Sequence, residues 1–389
     1  MTRMRETSDA LISVFVATSG HSGVDRLIQH LVPALARRGY PVDVLKIGGH
    51  GPVIEDRPPG VRLVDLKARH VYAGFPALTR YLKHRRPTVL LTDKDRVNRT
   101  AILARAWSGV ATRLVVSSGT TISIDLAHRG PFERQLQRSS MGYLYRLADQ
   151  VIVPSRGVAE DMAAYTGLPI DLIQVVLCPV VPEALFNQPQ PRPDHPWFQP
   201  GEPPVILGVG ELGARKDFAT LIRAFAIVRG QRPCRLVIIG RGKLREELMA
   251  LATELGVCQD VDLPGFKSNP YSYMAHAAVF AFTSLWEGNP FVLPEALAVG
   301  TPVVATDCPS GPREVLHNGR YGHLVAVGDA KALAEAILKT LRAPLPANIL
   351  REAARPYEIE CSTTAYLKAM GLDPRELRNS SIQKVKPGT

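Results

Sequence analysis

Two glutamates, Glu287 and Glu295, stand with seven residues between them in Ser284-Leu-Trp-Glu-Gly-Asn-Pro-Phe-Val-Leu-Pro-Glu-Ala-Leu-Ala-Val-Gly300. Carboxylates can grip the hydroxyls of a ligand whose phosphates are held on backbone N–H groups at a helix start. Unrelated surface glutamates also produce this spacing, so the pair needs company. Arg215 and Lys216 supply some, in Val205-Ile-Leu-Gly-Val-Gly-Glu-Leu-Gly-Ala-Arg-Lys-Asp-Phe218. Side by side before a helix, they could neutralise a diphosphate or could be plain surface charges. Gly208, Gly210 and Gly213 form a literal G-x-G-x-x-G, a weak dinucleotide signal on its own. The expected acid about 20 residues on is missing, because the next strand runs into Gly240-Arg-Gly242. Only a minor NADP reading, with Arg241 on the extra phosphate, survives.

These residues need particular elements to position them. Ala278–Thr283 reads as a buried strand, broken by Gly288, Asn289 and Pro290. A helical pattern follows as far as Gly300, with Pro302 beyond it, and both are stop signals. Glu287 is therefore expected in a strand-to-helix loop and Glu295 on the opening turns of the helix.

The same alternation runs along the whole chain. In the first half, strands are expected at Leu11–Ala17, Val42–Ile47, Val61–Leu66, Thr88–Leu91, Arg113–Val116 and Gln150–Pro154. Helices are expected at Val24–Arg38, Thr100–Trp107 and Phe132–Ala148. In the second half, Val205–Val209, Arg235–Ile239, Val261–Leu263, Val279–Phe282, Val303–Ala305 and Leu324–Val325 read as strands. Phe218–Arg229, Leu244–Leu255 and Ala330–Leu341 read as helices. This pattern predicts an α/β protein of two doubly wound, Rossmann-like domains facing a cleft. Pro189, Pro191, Pro193, Pro196, Pro200, Pro203 and Pro204 crowd a stretch of little periodicity. It predicts a stiff linker over 186–204 between domains at 1–185 and 205–345. Residues 346–389 are expected as a partly helical tail with a disordered end.

With 389 residues, 46% apolar and 21% charged, the chain can fill two cores. No window reaches the roughly 20 apolar residues of a membrane span. The run Leu11–Ala17 is too short for a signal peptide core. Five cysteines in no metal spacing suit a reducing, cytoplasmic setting. Net charge is +11, and residues 1–185 hold 24 Lys/Arg against 16 Asp/Glu. One basic cluster (Lys67, Arg69, Arg80, Lys83, Arg85, Arg86) alternates with Val71, Tyr72, Phe75, Leu78, Tyr81 and Leu82. It fits either an anionic membrane surface or a solvated helix packed by its apolar side. No helix-turn-helix, zinc or aromatic-platform signature accompanies the charge, which argues against nucleic acid.

Seven motifs then occur in order: Gly210-Glu-Leu-x3-Lys-Asp-Phe218, Leu221-Ile-Arg-Ala-Phe-Ala226, Arg235-Leu-Val-Ile-Ile-Gly-Arg-Gly242, Leu263-Pro-Gly-Phe266, Glu287-Gly-x6-Glu-Ala-Leu-Ala298, Gly300-Thr-Pro-Val-Val304 and Ser310-Gly-Pro-Arg-Glu314. Together they resemble the donor half of the family-4 retaining glycosyltransferases of GT-B fold, densely over residues 205–340. The likeness is thinner earlier. There Ser22-Gly-Val-Asp-Arg26 resembles the family's first loop, and Ala148-Asp-Gln-Val-Ile-Val-Pro-Ser155 its last strand.

The resemblance implies that Glu287 contacts the transferred sugar, helped by the backbone of Gly288, Asn289, Pro290 and Phe291. It places Glu295 on the nucleotide ribose, Lys216 on the diphosphate and the base near Gly265 and Phe266. Gly23 would let the first loop approach the phosphates. Two departures stand out. Glu211 occupies a place the family often fills with Arg, leaving Arg215 or Arg241 to substitute. Ser117-Ser-Gly-Thr-Thr121 lacks the family's sugar-touching His, with His128 the next and Thr120 a candidate replacement. Asp93-Lys-Asp95 looks like the metal-binding pair of another transferase fold, but reads as a loop pair.

The implied activity is retaining transfer of a hexose from a UDP- or GDP-linked sugar to a glycan or lipid-linked acceptor, with no metal. Same-face attack, with the leaving phosphate taking the acceptor's proton, would need no enzymic nucleophile. Domain closure would expel water. The expected setting is bacterial-type surface polysaccharide or lipopolysaccharide synthesis, with peripheral attachment at the inner membrane face as a further expectation. Rival readings are a nucleotide-sugar epimerase, a glycan phosphorylase or a non-catalytic sugar-nucleotide-binding partner.

Overall fold

Short runs of Val, Ile and Leu form parallel strands buried on both faces, as crossover helices on each side of a sheet require. The structure is a computed structural model that describes residues 9–372 except Ser19, His21, Val53, Glu55 and Asp56. The end of the chain expected to be disordered lies outside the described residues. The chain divides into two units, one of residues up to Val180 together with those from Ile359, the other Val181–Glu358.

In the first unit the strands are β1 (Ile12–Phe15), β2 (Val42–Lys46), β3 (Val61–Asp65), β4 (Val89–Asp93), β5 (Arg113–Ser117), β6 (Gln150–Val153) and β7 (Ile173–Val175). They form a sheet in the order β3-β2-β1-β4-β5-β6-β7, parallel throughout. The order reverses between β1 and β4, so the carboxyl ends of those strands mark a crevice of the kind that binds ligands. β7 was not legible in the sequence, so Gln150–Val153 is not the last strand. Three residues, Ile173–Val175, carry too little pattern to detect. The helix Arg156–Thr166 between them was also unread.

A carboxylate inside this sheet orders one flank. Asp43 on β2 is 2% exposed. It accepts from Arg62 at 2.9 and 2.6 Å and from the Tyr81 hydroxyl at 2.6 Å, with Arg85 at 3.4 Å. The Tyr81 hydroxyl also lies 2.7 Å from Ser13 Oγ on β1. The basic segment is thereby explained. Its helix, Phe75–Arg85, buries Leu78, Tyr81 and Leu82 in the core, while Val71 and Phe75 pack against it. These side chains face the core, as in a helix packed by its apolar side, while Tyr72 just before it stays 57% exposed.

Asp93 and Asp95 also differ from the expected loop pair. Asp93 ends β4 and is buried, hydrogen-bonded to the Ser117 side chain. Asp95 opens the helix Asp95–Ser108, pairs with Arg99 at 2.5 Å and accepts from the Tyr145 hydroxyl at 3.2 Å. Lys94 between them takes a positive φ of 79°, turning the two carboxylates to different partners.

The second unit holds β8 (Val205–Val209), β9 (Arg235–Ile239), β10 (Val261–Gly265), β11 (Val279–Phe282), β12 (Val303–Thr306) and β13 (His323–Val325). Their order is β10-β9-β8-β11-β12-β13, again parallel. The switch point lies between β8 and β11. The proline-rich stretch is no free linker but part of this unit. His195 Nε2 meets Asp262 at 2.9 Å, and Phe198 packs edge-on against Tyr273. Apolar side chains between the prolines give the segment something to bury. The tail divides as well. The helix Ala347–Ala354 packs against Val292–Ala298 in the second unit. The helix Ile359–Ala369 packs on Gly23–Arg37 in the first, where Arg38 pairs with Glu360 at 2.9 Å.

Burial raises the Asp93 carboxyl to about 6, against lowering by Ser117 and Lys94. A raised folded value means the native state holds the proton longer than the unfolded chain. Its contribution is therefore full below about pH 4 and lost as pH rises through about 6. Asp93→Asn should stabilise the protein at neutral pH by about 3 kcal/mol and have little effect near pH 4. Thermal unfolding of both proteins across that range checks this, and an equal difference at every pH would refute it.

Candidate functional site

The switch point of the second unit gathers the charged residues singled out in the sequence. β8 delivers the loop 210–217 and β11 the loop 283–291, and backbone contacts tie the two together. Thr283 Oγ1 donates to the Lys216 carbonyl at 2.7 Å, and the Leu285 N–H donates to the Arg215 carbonyl at 2.8 Å. Both side chains then reach one carboxylate. Lys216 Nζ lies 2.6 Å from Glu287 Oε1, and Arg215 Nη1 lies 2.5 Å from Oε2. Ser284 Oγ donates to Oε1 at 2.9 Å. Glu287 is only 5% exposed, so its charge is held by two cations and a hydroxyl rather than by water.

Glycines make room for this cluster. A Cβ on Gly210 would come within 3.0–3.2 Å of the Lys216 stem. One on Gly240 would fall 1.7 Å from the Gly210 carbonyl, and one on Gly242 2.2 Å from that of Leu212. The G-x-G-x-x-G therefore serves the close approach of two loops. Gly240-Arg-Gly242 is its packing partner, not a ribose site. Lys216 Nζ also lies over the Phe282 ring, 5.3 Å from its centre. Burial first, and Glu287 next, push the neighbouring Cys308 thiol up to about 12, which leaves it neutral and inert.

Beyond Glu287 the chain turns sharply through Gly288, Asn289 and Pro290. A second loop clamps this turn. Ser310 Oγ donates to the Glu287 carbonyl at 2.6 Å. Gly311, at φ +100°, lies so near Pro290 that a Cβ would meet its Cδ at 2.4 Å. The Asn289 side-chain Nδ2 is buried with no hydrogen-bond partner. The helix that follows spans Val292–Ala298, two turns and shorter than the sequence pattern suggested. Glu295 sits in its first turn, 1% exposed, and accepts from the Tyr271 hydroxyl at 3.2 Å.

Gly265 ends β10 and Phe266 follows it. Gly265 takes φ +83° and Phe266 is 61% exposed. The Arg241 guanidinium stacks over that ring, 5.6 Å from its centre. Of the two candidate substitutes for the family's arginine, Arg215 thus joins the carboxylate and Arg241 joins the aromatic edge. Gly23 belongs to the first unit. It is the first residue of the helix Gly23–Arg37, whose start is a capping box between Ser22 and Asp25. Three polar residues near the glutamates were missed in the sequence. Ser284 and Ser310 lay inside quoted motifs and passed as spacers. Tyr271 lies 24 residues before Glu295, and nothing local links them.

A family model described as "Glycosyl transferases group 1" matches residues 192–357, and one described as "Glycosyl transferase 4-like domain" matches residues 22–179. The chain is 32% identical over 343 residues to the N-acetylgalactosamine-N,N'-diacetylbacillosaminyl-diphospho-undecaprenol 4-alpha-N-acetylgalactosaminyltransferase of Campylobacter jejuni, covering 85% of this chain and 89% of that protein. Among solved structures it resembles a lipopolysaccharide outer core galactosyltransferase, with a TM-score of 0.73 at 19% identity over 93% of this chain and 99% of the other. It also resembles the Anabaena protein HepE in complex with UDP, with a TM-score of 0.71 at 17% identity over 95% and 99%. The two sheets with their switch-point loops, the family models matching each half and a relative along most of its length converge: the chain belongs to the family-4-like glycosyltransferases of GT-B fold.

Proposed function

We propose that the protein is a retaining hexosyltransferase of cell-surface polysaccharide or lipopolysaccharide synthesis. It takes a hexose from a UDP- or GDP-linked sugar and passes it to a lipid-linked or glycan acceptor at the inner face of the membrane. The observation that carries this reading is the buried Glu287 carboxylate shared by Arg215 and Lys216. Two cations beside one acid are what a diphosphate and a sugar need together. When a nucleotide sugar enters, its diphosphate competes for Arg215 and Lys216, and the freed carboxylate accepts from sugar hydroxyls. As the sugar–phosphate bond breaks, the two cations stabilise the charge on the leaving oxygen. The acceptor hydroxyl attacks the anomeric carbon from the same face, and its proton passes to the departing phosphate. No metal enters this scheme, because the cations carry the required charge.

Glu295 takes the ribose hydroxyls, held by Tyr271, and the base lies along Gly265 and Phe266. The name of the Campylobacter relative contains a diphospho-undecaprenol acceptor, and the HepE structure holds UDP. Both support the proposed substrates. No described helix is long and apolar enough to cross a membrane.

Glu287→Gln should abolish measurable sugar transfer while keeping the rise in melting temperature caused by nucleotide. Transfer at the wild-type rate would overturn the assignment. Thermal stabilisation by UDP-, GDP- and ADP-sugars should single out a UDP or GDP donor by mass action, and stabilisation by none would count against nucleotide-sugar use. Tyr271→Phe should raise KM for the donor roughly threefold to tenfold with kcat little changed. A fall in kcat alone would remove Tyr271 from ribose binding.

A further inference from the structure

At the amino ends of β12 and β13, opposite the end of the sheet that carries Glu287, the second unit is not filled. A cavity of about 240 Å³ opens there between the first residues of the two strands, Val303 and His323, and the end of the helix Ala330–Arg342. Packed interiors leave few gaps wider than a water molecule, and a smaller apolar cavity already takes up a benzene ring. The floor is apolar, made by the buried Val303, Tyr321 and Leu350, with Leu345 half-exposed at the rim.

The turn that brings Tyr321 there is strained. His317, Asn318 and Gly319 take φ of 47°, 58° and 94° in succession, whereas residues visit this region singly rather than in runs. The Asn318 N–H donates to the Arg313 carbonyl at 2.9 Å and the Tyr321 N–H to the Leu316 carbonyl at 3.2 Å, which hold the turn. His317 then packs edge-on against Tyr321 with ring centres 5.1 Å apart. The Arg320 guanidinium lies over the same ring, 5.2 Å from its centre. Strain of this kind collects at ligand clamps.

The charge of the walls is one-sided. Among the described residues that line the cavity there is no acid. The stretches that wall it, 315–323 and 339–351, hold Arg320, Lys339, Arg342 and Arg351 and no Asp or Glu. Arg351 is engaged elsewhere, donating from Nε to the Ala298 carbonyl at 3.3 Å. Arg320 and His323 line the cavity and are exposed, and neither makes a hydrogen bond or ion pair with another described side chain. A stacked guanidinium keeps the N–H groups of its edge free, and that planar fork matches a carboxylate. The imidazole offers an N–H in either tautomer. The Thr340 hydroxyl on the same wall gives its proton to the Ala336 carbonyl at 2.8 Å and adds no donor.

We propose that this cavity binds a small aromatic carboxylate, its ring on Val303, Tyr321 and Leu350 and its carboxylate on Arg320 and His323. The ring fills the apolar floor, and one negative charge answers a basic rim without acids. The site is separate from the one around Glu287, and the two can be filled together.

Saturation-transfer NMR with benzoate as the probe tests it. Benzoate should bind the wild-type protein with a Kd of roughly a millimolar, the range expected for about nine non-hydrogen atoms. Benzyl alcohol, which keeps the ring without the charge, should bind roughly fivefold or more weakly, and benzylamine should give no signal. Arg320→Gln should weaken benzoate roughly tenfold. Ala343→Leu, which adds bulk at an exposed lining position, should abolish binding with an unchanged melting temperature. Excess UDP should leave the benzoate signal in place. No benzoate signal from the wild type would overturn the proposal, and so would binding by both variants as tight as by the wild type. Displacement by UDP would move the probe to the Glu287 site and overturn it equally. Benzyl alcohol binding as tightly as benzoate would overturn the anionic class of ligand.

Discussion

A buried carboxylate at the end of a strand has to be neutralised, and in this protein Glu287 is neutralised from another strand. Arg215 and Lys216 come from the loop after β8, Glu287 from the loop after β11, and the two loops meet at the switch point. Much of the second unit follows from that requirement. Gly210 gives the lysine stem a path, and Gly240 and Gly242 let the next loop lie against it. Ser284 satisfies the carboxylate at close range, and Ser310 holds the backbone that presents it. In the proposed reaction the group that locks the loops is also the one a diphosphate would compete for, so loop stability and donor affinity would draw on the same two cations.

The two units share an architecture but use their charges differently. In the first, Asp43 is also buried and also meets two arginines. Its other partner is the Tyr81 hydroxyl, and the cluster joins β2 to a helix within one face of the sheet. It ties the strands to the helix through the buried carboxylate. The second cluster bridges the ends of two strands at a crevice. Similar residues thus join a strand to a helix in one unit and meet at the ends of two strands in the other.

The helices of the first unit show how far amphipathicity alone can mislead. Phe75–Arg85 and Pro131–Leu144 both mix apolar residues with arginines, and the former carries the denser charge. Its Leu78, Tyr81 and Leu82 are consumed by the core, so the charge is an ordinary solvated face. Pro131–Leu144 buries only Met141 and leaves its aromatic side outward. Spacing alone could not separate these cases, because it says that a stripe exists and not which neighbour covers it.

Most strands of both sheets, and the loop position of Glu287, were legible in the sequence. Alternating Val/Ile/Leu runs and helix-stop glycines are local signals, and a parallel sheet follows from their order. Seven motifs in sequence fixed the family in the same way. The tertiary structure decided everything that depends on contact at a distance. It set Arg215 against Glu287 and stacked Arg241 over Phe266. It brought Tyr271 to Glu295, and it folded the prolines around His195 into the second unit through Asp262. It sent the chain's last described helix back to the first unit, where Glu360 meets Arg38. A sequence determines what each segment can bury and which charges it carries. Only the packed chain determines which of those demands meet.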